Sequence, residues 1–216
     1  MNAPLQLDTA KNKVFGARLE LAEAYHDLLA GPGSERGFIG PREADRLWQR
    51  HLLNCAVVGE AIASSARVID VGSGAGLPGI PLAIARPDLD VILVEPLLKR
   101  STFLTEVVEE LGLTNITVVR GRAEEKPVRA RVGGADVVTS RAVAPLGKLA
   151  KWCLPLAKKG GAMVAMKGES VAEELARDAK EIAAAGGSDA QIFQVGRKVV
   201  DPATTLISIT RTAGSR

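Results

Sequence analysis

The sequence predicts an α/β protein with a doubly wound, mostly parallel sheet of seven strands that is covered by helices. Short runs rich in valine and isoleucine recur from residue 67 onward, and amphipathic stretches separate them. Runs that do not alternate apolar with polar residues are typical of strands buried on both faces of a parallel sheet. The last two runs leave no room for a helix between them, so they predict a closing antiparallel pair.

Two helical segments come first in the chain. Apolar residues recur at near-helical spacing from Phe15 to Leu29, and Gly31-Pro32-Gly33 is expected to end that helix. Pro41 suits the first turn of a second helix, which is expected to continue to Ser64-Ser65. The helices therefore precede the sheet and lie outside its alternating pattern.

The rest of the chain alternates strand candidates with helix candidates. The strand candidates are Val68–Val71, Val91–Val94, Ile116–Val119, Val137–Thr139, Ala162–Met166, Gln191–Val195 and Thr205–Thr210. The helix candidates are Ile80–Ala85, Arg100–Leu111, Leu146–Leu156 and Val171–Ala184.

Length and composition limit the class of protein. A chain of 216 residues suits one domain with a modest extension, so residues 1–65 are expected to pack as a helical extension on a main domain of residues 66–216. With 46% hydrophobic and 25% charged residues, disordered, collagen-like and coiled-coil classes are excluded. Two cysteines, no visible secretory signal and no membrane-spanning run predict a cytoplasmic protein without a membrane partner.

Basic residues concentrate in the middle of the chain. The formal net charge is only +3, but residues 115–168 contain eleven Lys or Arg against three Asp or Glu. One interpretation is an ordinary solvated surface, and the other is a face that meets a polyanion. Composition does not decide between them.

A glycine-rich loop follows the first strand. Asp70 precedes Gly72, Gly74 and Gly76, and a helix is expected to open at Pro78. In a doubly wound sheet such a loop lies at the carboxyl end of the strand, where ligands bind. Glycines there let the backbone turn sharply and approach a ligand closely. The loop predicts a ligand site, and a tight turn without a ligand is the alternative.

The loop fits two cofactor patterns. Gly74–Gly79 satisfies the dinucleotide pattern G-x-G-x-x-G, and Glu95 follows at the end of the second strand, where a carboxylate can bind the ribose of any adenosine cofactor. The frame Asp70-x-Gly72-x-Gly74-x-Gly76 resembles the first motif of class I S-adenosylmethionine methyltransferases. A methyltransferase is therefore favoured over an NAD-type oxidoreductase, which is the remote alternative.

Further segments carry a closer resemblance. They are residues 70–83, Lys99-Arg100 with Phe103-Leu104, Gly121–Glu125, Ser140–Ala142, Lys151–Cys153, Lys167-Gly168, and Trp48–His51 with Leu53-Asn54. In this order they resemble the RsmG or GidB family of bacterial 16S ribosomal RNA guanine-N7 methyltransferases. The resemblance covers nearly the whole chain and weakens over the last forty residues. It implies the Rossmann-like class I methyltransferase fold, S-adenosyl-L-methionine as cofactor and S-adenosyl-L-homocysteine as product.

The resemblance also implies a set of cofactor-binding residues. Glu95 is expected to face the ribose, Ala123 and Glu124 to hold the adenine edge, and Arg141 to grip the cofactor carboxylate or the target base. The full set is Gly72, Gly74, Gly76, Leu77, Glu95, Ala123, Glu124 and Arg141.

The implied substrate is 16S ribosomal RNA or the small ribosomal subunit, with no DNA, and the chain is expected to be a monomer. Guanine N7 carries a lone pair and no proton at neutral pH, so direct in-line attack on the methyl group needs no general base. No catalytic residue is therefore assigned, and no metal-ligand cluster is visible. The alternative is a class I methyltransferase that acts on a protein or a small molecule.

Basic side chains are candidates to hold the RNA by its phosphates. They are Arg120, Arg122, Lys126, Arg129, Arg131, Lys148, Lys151, Lys158 and Lys159. Lys167 is a weaker candidate for a contact with phosphate or with guanine. Helix packing is the favoured role for Trp48 and His51, with RNA contact as the alternative.

Overall fold

Seven strands form a single sheet in the computed structural model, which describes residues 5–141 and 144–212. The strands are β1 (Arg67–Val71), β2 (Asp90–Glu95), β3 (Ile116–Arg120), β4 (Ala135–Arg141), β5 (Ala157–Met166), β6 (Gly187–Val195) and β7 (Thr204–Arg211). Their order across the sheet is β3-β2-β1-β4-β5-β7-β6. Strand β7 runs antiparallel to both of its neighbours, and the other pairs are parallel. The predicted fold class and its C-terminal antiparallel pair are confirmed.

Eight α-helices accompany the strands in the described ranges. They are α1 (Leu7–Phe15), α2 (Leu19–Leu28), α3 (Leu53–Ala56), α4 (Gly79–Ala85), α5 (Leu98–Glu110), α6 (Lys126–Val132), α7 (Leu146–Cys153) and α8 (Val171–Ala184). Short 3₁₀ or π turns fill Gly16–Arg18, Leu29–Gly33, Pro41–Arg46, Trp48–Leu52, Val57–Ala61 and Leu154–Leu156. No helix in the described part of the chain is both long and apolar enough to cross a membrane.

Helix α1 ends at Phe15, where the first predicted segment begins, so the sequence pattern did not predict it, and the pattern also missed helix α6. It has seven residues and buries only Val128 and Val132, so its apolar periodicity is too short to detect among basic neighbours. Strand β5 also begins five residues before the predicted Ala162, because glycines and lysines at its start conceal the strand pattern.

The expected end of the first helical segment is wrong. Gly31-Pro32-Gly33 does not stop the helix, because Leu29–Gly33 form a π turn and helical geometry continues to residue 35. Pro32 has no N–H to donate within the helix, and the wider turn accommodates this loss. Its carbonyl still accepts a hydrogen bond from the Arg36 N–H at 3.0 Å.

The core has two layers, one on each face of the sheet. Val68 and Val91 pack on the face covered by the N-terminal helices, α4 and α5. Ile69 and Ile92, the next residues in each strand, pack on the face covered by α6, α7 and α8. Alternate residues of these strands are therefore apolar on both sides, as a buried parallel sheet requires.

Helix α4 approaches β1 and β2 closely at Gly79. A methyl group on Gly79 would lie 2.3 Å from Cδ2 of Leu93 and 2.8 Å from Oδ2 of Asp70. Both neighbours are fully buried, and that carboxylate oxygen accepts a hydrogen bond from the Gly79 N–H at 3.0 Å. Neither neighbour can move aside without cost, so only glycine fits at the first turn of α4.

The variant Gly79→Ala is expected to lower the free energy of unfolding by about 1–3 kcal/mol, the usual cost of overpacking a core. Urea denaturation of the two proteins measures the difference. The matched control is Gly31→Ala, since nothing lies within 4 Å of a methyl group at Gly31. Equal denaturation midpoints for the two variants would contradict the tight approach at Gly79.

Candidate cofactor and substrate site

The glycine loop turns sharply at the carboxyl end of β1. Gly72, Gly74 and Gly76 all have positive φ values, of 71°, 58° and 103°. The N–H groups of Gly72 and Ser73 donate to the carbonyl of Val94 at 2.9 and 3.3 Å, which ties the loop to β2. The loop is therefore a fixed turn, and its first and second glycines leave the backbone partly exposed where side chains would otherwise stand.

Glu95 closes the other side of the loop from the end of β2. Its side chain is almost fully buried, and Oε2 accepts a hydrogen bond from the Gly74 N–H at 2.9 Å. Oε1 accepts one from the Leu97 N–H at 2.9 Å. Each oxygen retains a second lone pair, so the carboxylate can hold the loop and accept hydrogen bonds from a ligand at the same time.

Asp70 lies buried beneath the loop. Oδ2 accepts the bond from Gly79, whereas Oδ1 is buried without a hydrogen-bond partner in the described structure. Burial raises the pKa of this carboxyl to about 7. A buried acceptor without a donor is unfavourable by itself, so a positive charge placed nearby would be stabilised.

A cavity of about 590 Å³ opens above the loop and Glu95. Five of the eight predicted cofactor residues line it: Gly72, Gly74, Leu77, Glu95 and Arg141. Its other lining residues are Phe38, Ile39, Ser73, Ala75, Pro96, Leu97, Arg100 and Arg122. The structure thus brings together the glycine loop, the end of β2 and the end of β4.

Three predicted cofactor residues lie outside the cavity wall. Gly76 supports the loop from below, because a side chain there would collide with Ile80 and with the hydroxyl of Tyr25. Ala123 is buried and Glu124 is exposed, and neither lines the cavity.

The N-terminal region forms part of this site. Phe38 and Ile39 line the cavity from the turn that precedes Pro41. The hydroxyl of Tyr25, in α2, donates a hydrogen bond to the carbonyl of Ala75 at 2.8 Å. Burial raises the pKa of Tyr25, so its hydroxyl stays a donor. Spacing within the sequence could not identify these contacts, since Tyr25 and Ala75, for example, are fifty residues apart.

Arg141 is held by His51 of the N-terminal region, and Glu43 in turn holds His51. One of its Nη atoms lies 2.7 Å from Nδ1 of His51, and Nε2 of His51 lies 2.7 Å from a carboxylate oxygen of Glu43. An arginine can only donate, so Nδ1 accepts and Nε2 carries the proton. Burial lowers the pKa of His51, which favours this neutral form. The histidine therefore orients the guanidinium rather than forming a free RNA contact.

A second cavity of about 460 Å³ lies on the other side of Arg141. Its wall comprises Asn54, Arg141, Met166, Lys167, Gly168, Glu169, Gln194, Pro202, Ala203, Thr204 and Thr205. These residues come from the carboxyl end of β5, from the β6–β7 connection and from α3. Arg141 lines both cavities and separates them, and Ala142 of the Ser140–Ala142 motif lies outside the described residues.

The basic candidates occupy several places in the fold. Arg120 ends β3 beside Glu95, and Arg122 lines the cofactor-side cavity. Lys126, Arg129 and Arg131 lie on α6, and Lys148 and Lys151 lie on α7 of the same face. Lys158 and Lys159 lie at the amino end of β5, on the side of the sheet opposite the two cavities.

Several of these cations already have partners. Nζ of Lys167 is 2.7 Å from a carboxylate oxygen of Glu174 and donates to the carbonyl of Ala144 at 3.2 Å, with only 8% of the side chain exposed. Lys151 pairs with Glu181 at 2.9 Å, and Lys158 pairs with Asp136. The Lys167 ammonium is thus engaged within the protein.

The strand order, the glycine loop after β1 and the carboxylate that ends β2 define a class I S-adenosylmethionine-dependent methyltransferase. Aeropyrum pernix fibrillarin, solved with natively bound S-adenosyl-L-methionine, has the same fold, with a TM-score of 0.55 at 19% identity over 74% of this chain and 75% of that one.

Within that class, residues 18–202 match the family model GidB, rRNA small subunit methyltransferase G. Ribosomal RNA small subunit methyltransferase G of Corynebacterium efficiens is 65% identical over 96% of this chain and 90% of that protein. The Mycolicibacterium gilvum protein of that name is 55% identical over 92% and 87%. The chain belongs to the rRNA small subunit methyltransferase G family, so the predicted enzyme class and cofactor are confirmed.

Proposed function

We propose that this chain methylates N7 of a guanine in the 16S ribosomal RNA of the small ribosomal subunit, in the cytoplasm, by direct in-line attack. Membership of the family supports ribosomal RNA as the substrate. The two cavities that meet at Arg141 support transfer of a methyl group from a cofactor to a base. In this proposal residues 1–65 are an extension that completes the site of the domain 66–216.

The residues around the glycine loop suit S-adenosylmethionine. Glu95 has lone pairs for the ribose hydroxyls, and the exposed, apolar Leu97 stands at the cavity wall, where an adenine can pack. The buried, unpartnered oxygen of Asp70 favours the positive charge of this cofactor. An NAD-type cofactor would bring a negatively charged pyrophosphate towards the same carboxylate, which disfavours the oxidoreductase alternative.

The chain's own residues need not move a proton. The cofactor supplies an electrophilic methyl group on a sulfonium, and its transfer leaves a neutral thioether and a cationic base. Cys55 is buried, and burial raises the pKa of its thiol to about 11, so it is not a nucleophile at neutral pH. His51 is bonded on both nitrogens. The contribution of the protein is then alignment and charge placement.

The Asp70 carboxyl predicts a pH effect on cofactor binding. With a pKa of about 7 it is mostly protonated at about pH 6, and a nearby cation favours its ionised form. Binding of S-adenosylmethionine at about pH 6 is therefore expected to release part of a proton from Asp70, which lies beneath the loop. Titration calorimetry in buffers of different ionisation enthalpy measures this release.

Two comparisons test the origin of that proton. S-adenosylhomocysteine lacks the sulfonium charge and is expected to release less, and Asp70→Asn is expected to remove the release while keeping an oxygen for the Gly79 N–H. Equal release by the variant and the unaltered protein would assign the proton to another group.

The proposed function is tested with labelled S-adenosylmethionine and small-subunit particles or naked 16S RNA that lack the modification. Nuclease digestion and mass spectrometry of the product identify the methylated nucleoside. A single 7-methylguanosine is the expected product. Methyl groups on another base, or on protein alone, would overturn the assignment and favour the protein or small-molecule alternative.

A further inference from the structure

The second cavity is not used by the proposed cofactor site. It lies at the carboxyl ends of β4 and β5, and among the described residues Arg141 alone lines both it and the cofactor-side cavity. Reacting atoms must come within about 3–3.5 Å of each other for transfer. Because the two cavities share Arg141, an acceptor in the second cavity can approach a methyl donor in the first at the wall that Arg141 forms.

Most polar side chains in this cavity are already engaged. Lys167 is paired with Glu174, and the hydroxyl of Thr204 donates to the side-chain oxygen of Asn54 at 2.8 Å. Glu169, Gln194 and Thr205 differ, since in the described part of the chain none of their side chains forms a hydrogen bond or an ion pair, and Glu169 is the charged one of the three. Glu169 thus brings an exposed, uncompensated carboxylate to the cavity wall.

On the basis of the proposed function, we propose that the second cavity receives the target guanine and that Glu169 determines the choice of base. The Watson–Crick edge of guanine presents two donors side by side, N1–H and N2–H, which one carboxylate can accept together. Adenine presents an acceptor at N1, so two acceptors would face each other and no hydrogen bond could form there. N7 lies on the five-membered ring, away from that edge, and stays free to react.

The same contact also favours the reaction itself. During transfer the N7–carbon bond forms from the nitrogen lone pair, the sulfur–carbon bond breaks and its electron pair returns to sulfur. Positive charge therefore appears on the purine, and N1–H and N2–H become stronger donors. Hydrogen bonds to Glu169 strengthen in the transition state more than in the ground state, so they increase kcat as well as selecting the base.

The test compares Glu169→Gln with Glu173→Gln, an exposed glutamate of α8 that lies outside this cavity. With small-subunit particles as substrate, Glu169→Gln is expected to lower kcat about 10- to 100-fold, since a charged acceptor is replaced by a neutral amide. Its affinity for S-adenosylhomocysteine is expected to be unchanged. Glu173→Gln is expected to keep kcat within about twofold of the unaltered protein.

A second measurement separates base recognition from a structural effect. Particles are reconstituted with inosine, which lacks the 2-amino group, at the guanine that the mapping identifies. The unaltered enzyme is expected to lose about tenfold in kcat/KM on inosine, whereas Glu169→Gln is expected to lose much less, because its amide has lost the negative charge and one of the two acceptor oxygens.

The outcomes are distinct. Full activity of Glu169→Gln, or an equal inosine penalty in both enzymes, would overturn the guanine pocket while the proposed function stands. Absence of 7-methylguanosine from reactions of the unaltered enzyme would overturn the proposed function, and the pocket with it.

Discussion

Replacing Glu95 with alanine is expected to weaken binding of S-adenosylhomocysteine at least about 100-fold, or about 2.7 kcal/mol. The substitution removes the acceptor proposed for the ribose hydroxyls. It also leaves the N–H groups of Gly74 and Leu97 without their partner, and the loop loses the contact that orders it. Titration calorimetry of the variant with S-adenosylhomocysteine measures the loss.

Two variants control for general damage. Glu95→Asp keeps the charge on a shorter side chain and is expected to retain much of the affinity. Glu109→Ala removes an exposed carboxylate from α5 and is expected to change nothing. RNA affinity is expected to fall far less than cofactor affinity in Glu95→Ala, and equal losses for both ligands would remove the role proposed for Glu95.

Replacing Arg141 with glutamine is expected to lower kcat by at least about 100-fold, because this guanidinium lies between the two cavities where we propose that donor and acceptor meet. Glutamine keeps a polar donor on a shorter side chain at this half-buried position, so the variant is expected to fold. Single-turnover methylation of small-subunit particles measures the change, and a thermal melt verifies the fold. Retention of full kcat would place the reacting atoms away from Arg141.

Substitutions of His51 test whether its contact with Arg141 supports catalysis. His51→Asn keeps an oxygen that can accept from Arg141, whereas His51→Leu has no acceptor. The asparagine variant is expected to retain most of kcat and the leucine variant to lose about tenfold or more, with cofactor affinity affected less. Equal activity of the two variants would mean that His51 only fills space.

The sequence was most informative where function depends on neighbouring residues. The turn from Asp70 through Gly79 and the carboxylate at Glu95 follow from local spacing, and the structure brings them to one cavity. The pairing of His51 with Arg141 could not be predicted, because it joins residues that are ninety positions apart. The second cavity requires the β6–β7 connection to return to the end of β5, which no local pattern specifies.

The basic residues illustrate a different limit. Lys158 and Lys159 belong to the same charge-rich stretch as Arg122. The two lysines lie at the amino end of β5, whereas Arg122 lies at the carboxyl ends of the strands, on the opposite side of the sheet. The amino ends of parallel strands lie on one side of the sheet and the carboxyl ends on the other. Basic residues that are close in the sequence therefore need not lie on one surface. A charge count along the chain therefore does not define a single basic surface.

The hydrogen bond from Tyr25 to Ala75 limits which parts of the chain can be exchanged between relatives. The helical region and the sheet meet at this bond, at the wall formed by Phe38 and Ile39, and at the His51–Arg141 pair. A chimera that joins the helices of one relative to the sheet of another must match all three places to rebuild the site. We therefore expect the two regions to be exchangeable between relatives only together.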